Sequence, residues 1–169
     1  GQPEQPGQTA ELPFTDVDED AWYYDAVKTV CEAGLMNGVS DTEFDPNGGL
    51  NRAMFWTLLA RAGGVDTDGG ASWYANAQAW AVENGISDGA DAMGALTREQ
   101  LVTMLWRLNG GPVVNYLITT PDASLISSWA LEAMRWAASI GLIEGDETGS
   151  LDPAEACTRA QAATFIVRY

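Results

Sequence analysis

The sequence predicts an all-α fold: three helix–loop–helix repeats closing into a pseudo-threefold, pseudo-trimeric helical bundle. Two observations carry that prediction. A tryptophan is followed after 12 residues by one glycine and after 4 more by another, in three places: Trp22, Gly34, Gly38; Trp73, Gly85, Gly89; Trp129, Gly141, Gly145. Downstream of each set an arginine stands directly after a helix-capping residue, at Asn51-Arg52, Thr97-Arg98 and Thr158-Arg159. Repetition at this period marks units too small to bury their own apolar faces, which must share a core with their neighbours. An open solenoid is the alternative architecture.

Each element has a local reason. From the tryptophan an Ala-rich stretch carries apolar residues at helical spacing: Trp22, Ala26, Val27, Val30 and Cys31 in the first copy, Trp129, Ala133, Met134, Trp136 and Ala137 in the third. Gly34, Gly85 and Gly141 stand where a left-handed residue would end that helix. Leu35, Ile86 and Leu142 follow, placed to pack back on the last turn. After a polar loop, Asn51, Thr97 and Thr158 cap a second helix. Thr97 and Thr158 have Gln100 and Gln161 three residues on, a capping box that Met54 denies to the first copy. The second helices offer Phe55, Leu58 and Leu59; Leu101, Val102, Leu105 and Leu108; and Ala162, Ala163, Ile166 and Val167 to the core. The expected boundaries are a linker at 1–13 and repeats at 14–64, 65–111 and 112–169. The second repeat has a shortened loop without an element like Phe44-Asp45-Pro46 or Leu151-Asp152-Pro153. The third begins with a long connector, in which "VVNYLI" reads as extended chain packed on the bundle.

Composition narrows the function. The chain has 24 acidic residues against 8 basic ones, a net charge of −16, no histidine, and Lys28 as its single lysine. That balance disfavours nucleic acid, whose phosphates need a basic patch, and anionic lipid surfaces. No apolar run reaches the roughly 18–20 residues that span a bilayer. The acidity suits an extracellular setting. No signal peptide opens the chain, and one upstream of the Pro/Gln/Gly-rich linker is compatible with it. Cys31 and Cys157, 126 residues apart and without histidine, form no zinc motif and read as small buried hydrophobes rather than a disulfide. "DVDED" at 16–20 lacks the Gly and Glu of a calcium loop, having Ala21 and Val27 there, and reads as an acidic turn complementing a helix dipole. With no nucleophile–base set and no phosphate loop, the expectation is a non-enzyme without cofactor or metal.

"FTDVDEDAWYYDAVKTVCEAGLMNG", "EFDPNGGLNRA", "LTREQLVTMLWRL" and "CTRAQAATFIVRY" together resemble the S-layer homology domain family in triple-copy form, over residues 14–169. The resemblance implies a secreted module of bacterial, chiefly Gram-positive, surface proteins. In that family the module anchors its protein noncovalently by binding secondary cell-wall polysaccharide, often pyruvylated, in grooves between repeats. By motif position the glycan-binding arginines would be Arg52, Arg98 and Arg159. An arginine at a helix start sits where free N–H groups and the positive dipole end favour an anion. Its planar fork also suits a carboxylate such as a pyruvyl ketal carries. Single alanine replacements are expected to weaken wall binding without unfolding the chain. The plain alternative for each is a surface ion pair. Trp22, Trp73 and Trp129 are candidates to stack on a sugar, though most of their surface is expected in the core. Trp73/Trp80 and Trp129/Trp136 have the spacing of a core stripe, and Trp56 and Trp106 read as packing.

Three departures from the family pattern bear on function. Asn51 and Met54 replace the usual Thr and Glu, the second repeat lacks the Phe-x-Asp-Val start, and Thr57, Thr103 and Thr164 stand where many members carry lysine. Fewer than three working grooves are therefore expected, in a monomer, and the polymer need not be pyruvylated. The alternative of another class is a protein–protein or self-assembly module of a surface layer that binds no glycan.

Overall fold

The computed structural model describes residues 12–145 and 148–169; most of the linker expected at 1–13 lies outside the described residues. Among the described residues the regular structure is helical: α1 (Tyr24–Glu32), α2 (Arg52–Ala62), α3 (Ala75–Glu83), α4 (Arg98–Leu108), α5 (Leu131–Ser139) and α6 (Arg159–Arg168). Two single 3₁₀ turns, Ala123–Leu125 and Ser128–Ala130, lead into α5. Among the described residues there is no strand, only isolated bridges. "VVNYLI" is unpaired chain, with Val114 and Ile118 against the core and Val113 and Leu117 exposed.

The helices fall into three pairs in chain order, and each first helix begins two residues past its tryptophan. Gly34, Gly85 and Gly141 end these helices with φ of 73°, 69° and 75°, a conformation that costs a side-chain-bearing residue but not glycine. Asn51, Thr97 and Thr158 cap the second helices through their side chains, and the two threonines form full capping boxes with Gln100 and Gln161.

What joins the pairs is a cycle of backbone contacts. Leu50 N–H donates to Cys157 C=O (3.2 Å), Cys157 N–H to Leu96 C=O (2.7 Å), and Leu96 N–H to Leu50 C=O (2.9 Å). Each of these residues immediately precedes a cap, and their side chains lie within the core. Helix contacts run in the same cyclic order: α2 on α3, α4 on α5, and α6 back on α1. The first N–H groups of the second helices are spent across these joins. Arg52 and Ala53 donate to Gly94 and Ala92, Arg98 and Glu99 to Glu155 and Pro153, and Arg159 and Ala160 to Gly48 and Pro46. The third N–H in each case goes to the cap side chain. Each second helix thus starts seated in the loop of another pair.

Each of those loops turns on an aspartate in the left-handed region: Asp45 (φ 59°), Asp91 (φ 55°) and Asp152 (φ 55°). The second loop, which lacks the aromatic–Asp–Pro residue types, keeps their conformation. Asp16 braces the first loop by accepting from the N–H groups of Phe44 (2.9 Å) and Asp45 (2.8 Å). Asp122 does the same for Leu151 (3.1 Å) and Asp152 (2.8 Å). The acidic start of the third unit therefore lies in "TPDA", inside the connector. Burial pushes the Asp122 carboxyl up, but hydrogen bonds from the Leu151 and Asp152 N–H groups, together with those from Thr120 and its own backbone, outweigh it and hold the group below its ordinary value. A depressed carboxyl stabilises the fold above the unfolded pKa of about 3.9, and that contribution is lost as pH falls through the lower folded value. Asp122→Asn is expected to melt lower at neutral pH and to lose less stability than the parent between about pH 4 and pH 2, in a series of thermal melts.

The core is built around Trp56, Phe44, Phe55, Leu59, Leu96, Leu101 and Met134, all fully enclosed. Val167, expected inside, is 46% exposed near the end of α6. Cys31 and Cys157 form no disulfide. Burial pushes the Cys157 thiol up to about 12, so it behaves as an inert hydrophobe.

Candidate functional site

The motif arginines are clamps between pairs. Each Nε–H donates to the carbonyl just before a left-handed aspartate: Arg52 to Ala90 (2.8 Å), Arg98 to Leu151 (2.9 Å) and Arg159 to Phe44 (2.8 Å). Their depth differs. Arg159 is 8% exposed, lies 4.7 Å over the Phe44 ring, and gives a second hydrogen bond to Asn37 C=O. Burial lowers its pKa, with Asp45, Cys31 and Asp16 acting the other way. Arg98 is half-buried over Phe165, with its ring at 5.3 Å. Arg52 spends a terminal nitrogen on Ser87 Oγ (3.1 Å) and Asp88 Oδ1 (3.3 Å), the surface ion pair that the plain reading expects.

One rationale from sequence needs correction. The helix starts beside these arginines do not offer free N–H groups to an anion, because backbone carbonyls and cap side chains have taken the first three. What remains for a ligand is guanidinium edge. A second correction concerns the tryptophans. Trp22, Trp73 and Trp129 are not core residues but are 67%, 53% and 51% exposed. Each precedes its helix, outside the apolar stripe, while Trp56 and Trp136 are buried and Trp80 and Trp106 half-buried.

Two grooves bring these residues together. The first, a cavity of about 170 Å³, is lined by Arg159, Asn37, Met54, Thr57, Arg61 and Trp73 among others. The second, of about 250 Å³, is lined by Arg52, Asp88, Gln100, Thr103, Arg107 and Trp129. These are the same positions in register. All three helix pairs contribute to each groove: one gives the motif arginine, the next the threonine and a further arginine, and the next the tryptophan. A third, shallow site of about 40 Å³ holds Gln161, Thr164, Phe165 and Arg168. Arg98 and Trp22 occupy the corresponding positions in sequence but do not line it.

Arg61, Arg107 and Arg168 were not identified from sequence, although a signal existed. Each lies nine residues past a motif arginine, so six of the eight basic residues form three Arg-x8-Arg pairs. In a chain of net charge −16 that economy is itself a pattern. Arg61 donates from Nε to Thr67 Oγ1 (3.3 Å) and Arg107 from Nη1 to Ile86 C=O (3.3 Å). The groove threonines bond back to their own helices, donating from Thr57 to Ala53 C=O and from Thr103 to Glu99 C=O, and both are nearly buried. Among the described residues no cluster of carboxylates and cysteines has the makings of a metal site.

Among the described residues, six helices in a cycle of contacts, with arginine–tryptophan grooves at two of the joins, define a helical repeat module. A family model described as the S-layer homology domain matches residues 13–53 and 119–163, together just over half of the chain. The chain belongs to that family, which makes it a cell-surface module of the cell-wall-anchoring kind. It is 29% identical over 171 residues to an amylopullulanase of Thermoanaerobacterium thermosulfurigenes, covering 90% of this chain and 9% of that protein. It is 38% identical over 94 residues to the surface-layer 125 kDa protein of Lysinibacillus sphaericus (50% and 8%). To the S-layer protein of Bacillus thuringiensis subsp. finitimus it is 24% identical over 183 residues (96% and 22%). The chain thus spans between about a tenth and a fifth of the length of such relatives.

Proposed function

We propose that the chain anchors its protein by binding secondary cell-wall polysaccharide in the grooves between its helix pairs, as a non-catalytic monomer. The observation that carries this is the convergence of Arg159, Arg61 and the exposed Trp73 on one cavity, from separate helix pairs. A half-exposed indole beside two guanidiniums offers an apolar face for a sugar ring and charged forks for a carboxylate, such as a pyruvyl ketal presents. The motif arginines serve twice, clamping the loops and presenting their remaining N–H edges. Net charge does not forbid this, because beyond about 8–10 Å the surface carboxylates are screened at physiological salt. The enzyme and surface-layer relatives fit a module that serves unrelated proteins by the same attachment.

The test is retention on purified Gram-positive sacculi before and after chemical removal of the wall polysaccharide. Retention that disappears with the polysaccharide supports the reading. No retention, or retention that survives stripping, overturns it in favour of a protein–protein role. Trp73→Ala is expected to cost about 2 kcal/mol of binding, or roughly 30-fold, without moving the melting temperature.

A further inference from the structure

The grooves are built alike but charged differently, and the difference rests on one position. Counting from the glycine that ends each first helix, the third residue on is Asn37, Asp88 or Glu144. In the second groove Asp88 pairs with Arg52 at 3.3 Å, so one of that groove's two cations is already neutralised from within. In the first groove the corresponding Asn37 carries no charge. Its backbone carbonyl takes a hydrogen bond from Arg159, and among the described residues no carboxylate forms a close ion pair with either Arg159 or Arg61, Asp45 and Asp16 acting on Arg159 only from farther off. Asp66 and Asp68 line only the adjoining outer depression beyond Arg61. In the third unit the sequence position belongs to an acid again, Glu144, which is exposed and lines a separate depression rather than the shallow third site.

We propose that the grooves are unequal: the one formed by Arg159, Arg61, Thr57 and Trp73 takes the anionic substituent of the wall glycan, and Asp88 shuts the Arg52 groove to anions. This rests on the glycan reading above and adds to it which groove is live and why. The residue that decides is Asn against Asp, a substitution that leaves both frameworks intact. Asp88 Oδ1 accepts from the Ala90 N–H at 2.9 Å, and an asparagine retains that acceptor. Asn37 serves Arg159 through its backbone, which an aspartate also supplies.

The whole chain, labelled with 5-fluorotryptophan, is titrated with polysaccharide released from sacculi that retain it, and followed by fluorine NMR. The Trp22, Trp73 and Trp129 signals are assigned by single Phe replacement. The Trp73 signal is expected to shift at concentrations about tenfold below any shift of Trp129, and polymer with its carboxyls reduced to alcohols should leave it unmoved. In Asp88→Asn the Trp129 signal should respond in the same range as Trp73, and Asn37→Asp should weaken the Trp73 response about tenfold. Trp129 moving as readily as Trp73 in the parent overturns the inequality while the glycan reading stands, as does a Trp73 shift indifferent to carboxyl reduction. Silence of all three signals with a polymer that reached saturation overturns both.

Discussion

Arg159→Ala is expected to lower the melting temperature by about 6–12 °C, well beyond the effect of the same change at Arg52 or Arg98. The guanidinium is enclosed, donates to the carbonyls of Phe44 and Asn37, and covers the Phe44 ring. Truncation loses two hydrogen bonds to a charged donor and leaves a carbonyl of the fully buried Phe44 without its partner, about 3 kcal/mol in all. At 2–4 °C per kcal/mol for a chain of this size, the stated drop follows. Arg98 makes one such bond from a half-exposed position and Arg52's ion pair is largely solvated, so about 1 kcal/mol is expected for each. Arg159→Lys should recover less than half of the loss, since an ammonium cannot address two carbonyls in the guanidinium plane. Calorimetric melts of the four variants check the order, and equal melting temperatures for the three alanine variants would remove the clamp assignment. The consequence for binding assays is direct. Loss of wall retention in Arg159→Ala mixes loss of groove with loss of fold, so Trp73 and Arg61 are the cleaner probes.

The fold was legible because its signals are local. Helical spacing beyond Trp22 and Trp129, left-handed glycines at 34, 85 and 141, and capping boxes at Thr97 and Thr158 each express a preference of a few consecutive residues; the glycines and caps appear where expected and the helices begin two residues later. The site was legible only in part, because it is assembled between pairs. Sequence placed Arg52 at an open helix end, whereas Gly94 and Ala92, some forty residues downstream, close that end. A cap's side chain can be read from the cap; a carbonyl supplied by another loop cannot. The tryptophans misled for a related reason. Trp22, Trp73 and Trp129 have the periodicity of the stripe, but the helices start two residues later, so these rings escape it. The family model, too, matches the first and third units and passes over the second, whose loop keeps its left-handed Asp91 but not the surrounding residue types.

Deleting α6 is expected to abolish cooperative folding of the entire chain, including α1 at the opposite end of the sequence. In an open array the loss of a terminal helix removes one interface and leaves the remainder folded, because each unit contacts only its neighbours. Here α6 packs on α1, and the residue before its cap, Cys157, both donates to Leu96 and accepts from Leu50. A chain ending at Thr158 would keep those backbone groups but lose their anchor. It would lose Phe165, whose replacement by alanine alone should cost about 3–5 kcal/mol, and the Arg159 clamp worth about 3 kcal/mol. It would also lose the buried methyls of Ala160, Ala162 and Ala163, at roughly 0.8 kcal/mol each. These losses reach about 8–10 kcal/mol, against a total of about 5–15 kcal/mol for a domain. They also uncover Val27 and Val30, which are fully buried in the intact chain. Circular dichroism and hydrogen exchange of the truncated chain distinguish the cases. Loss of protection throughout, with α1 amides exchanging as fast as those of α5, is the outcome of a cycle. A truncated chain that keeps protected amides in α1 through α4 and melts cooperatively would show that the contact between α1 and α6 closes nothing.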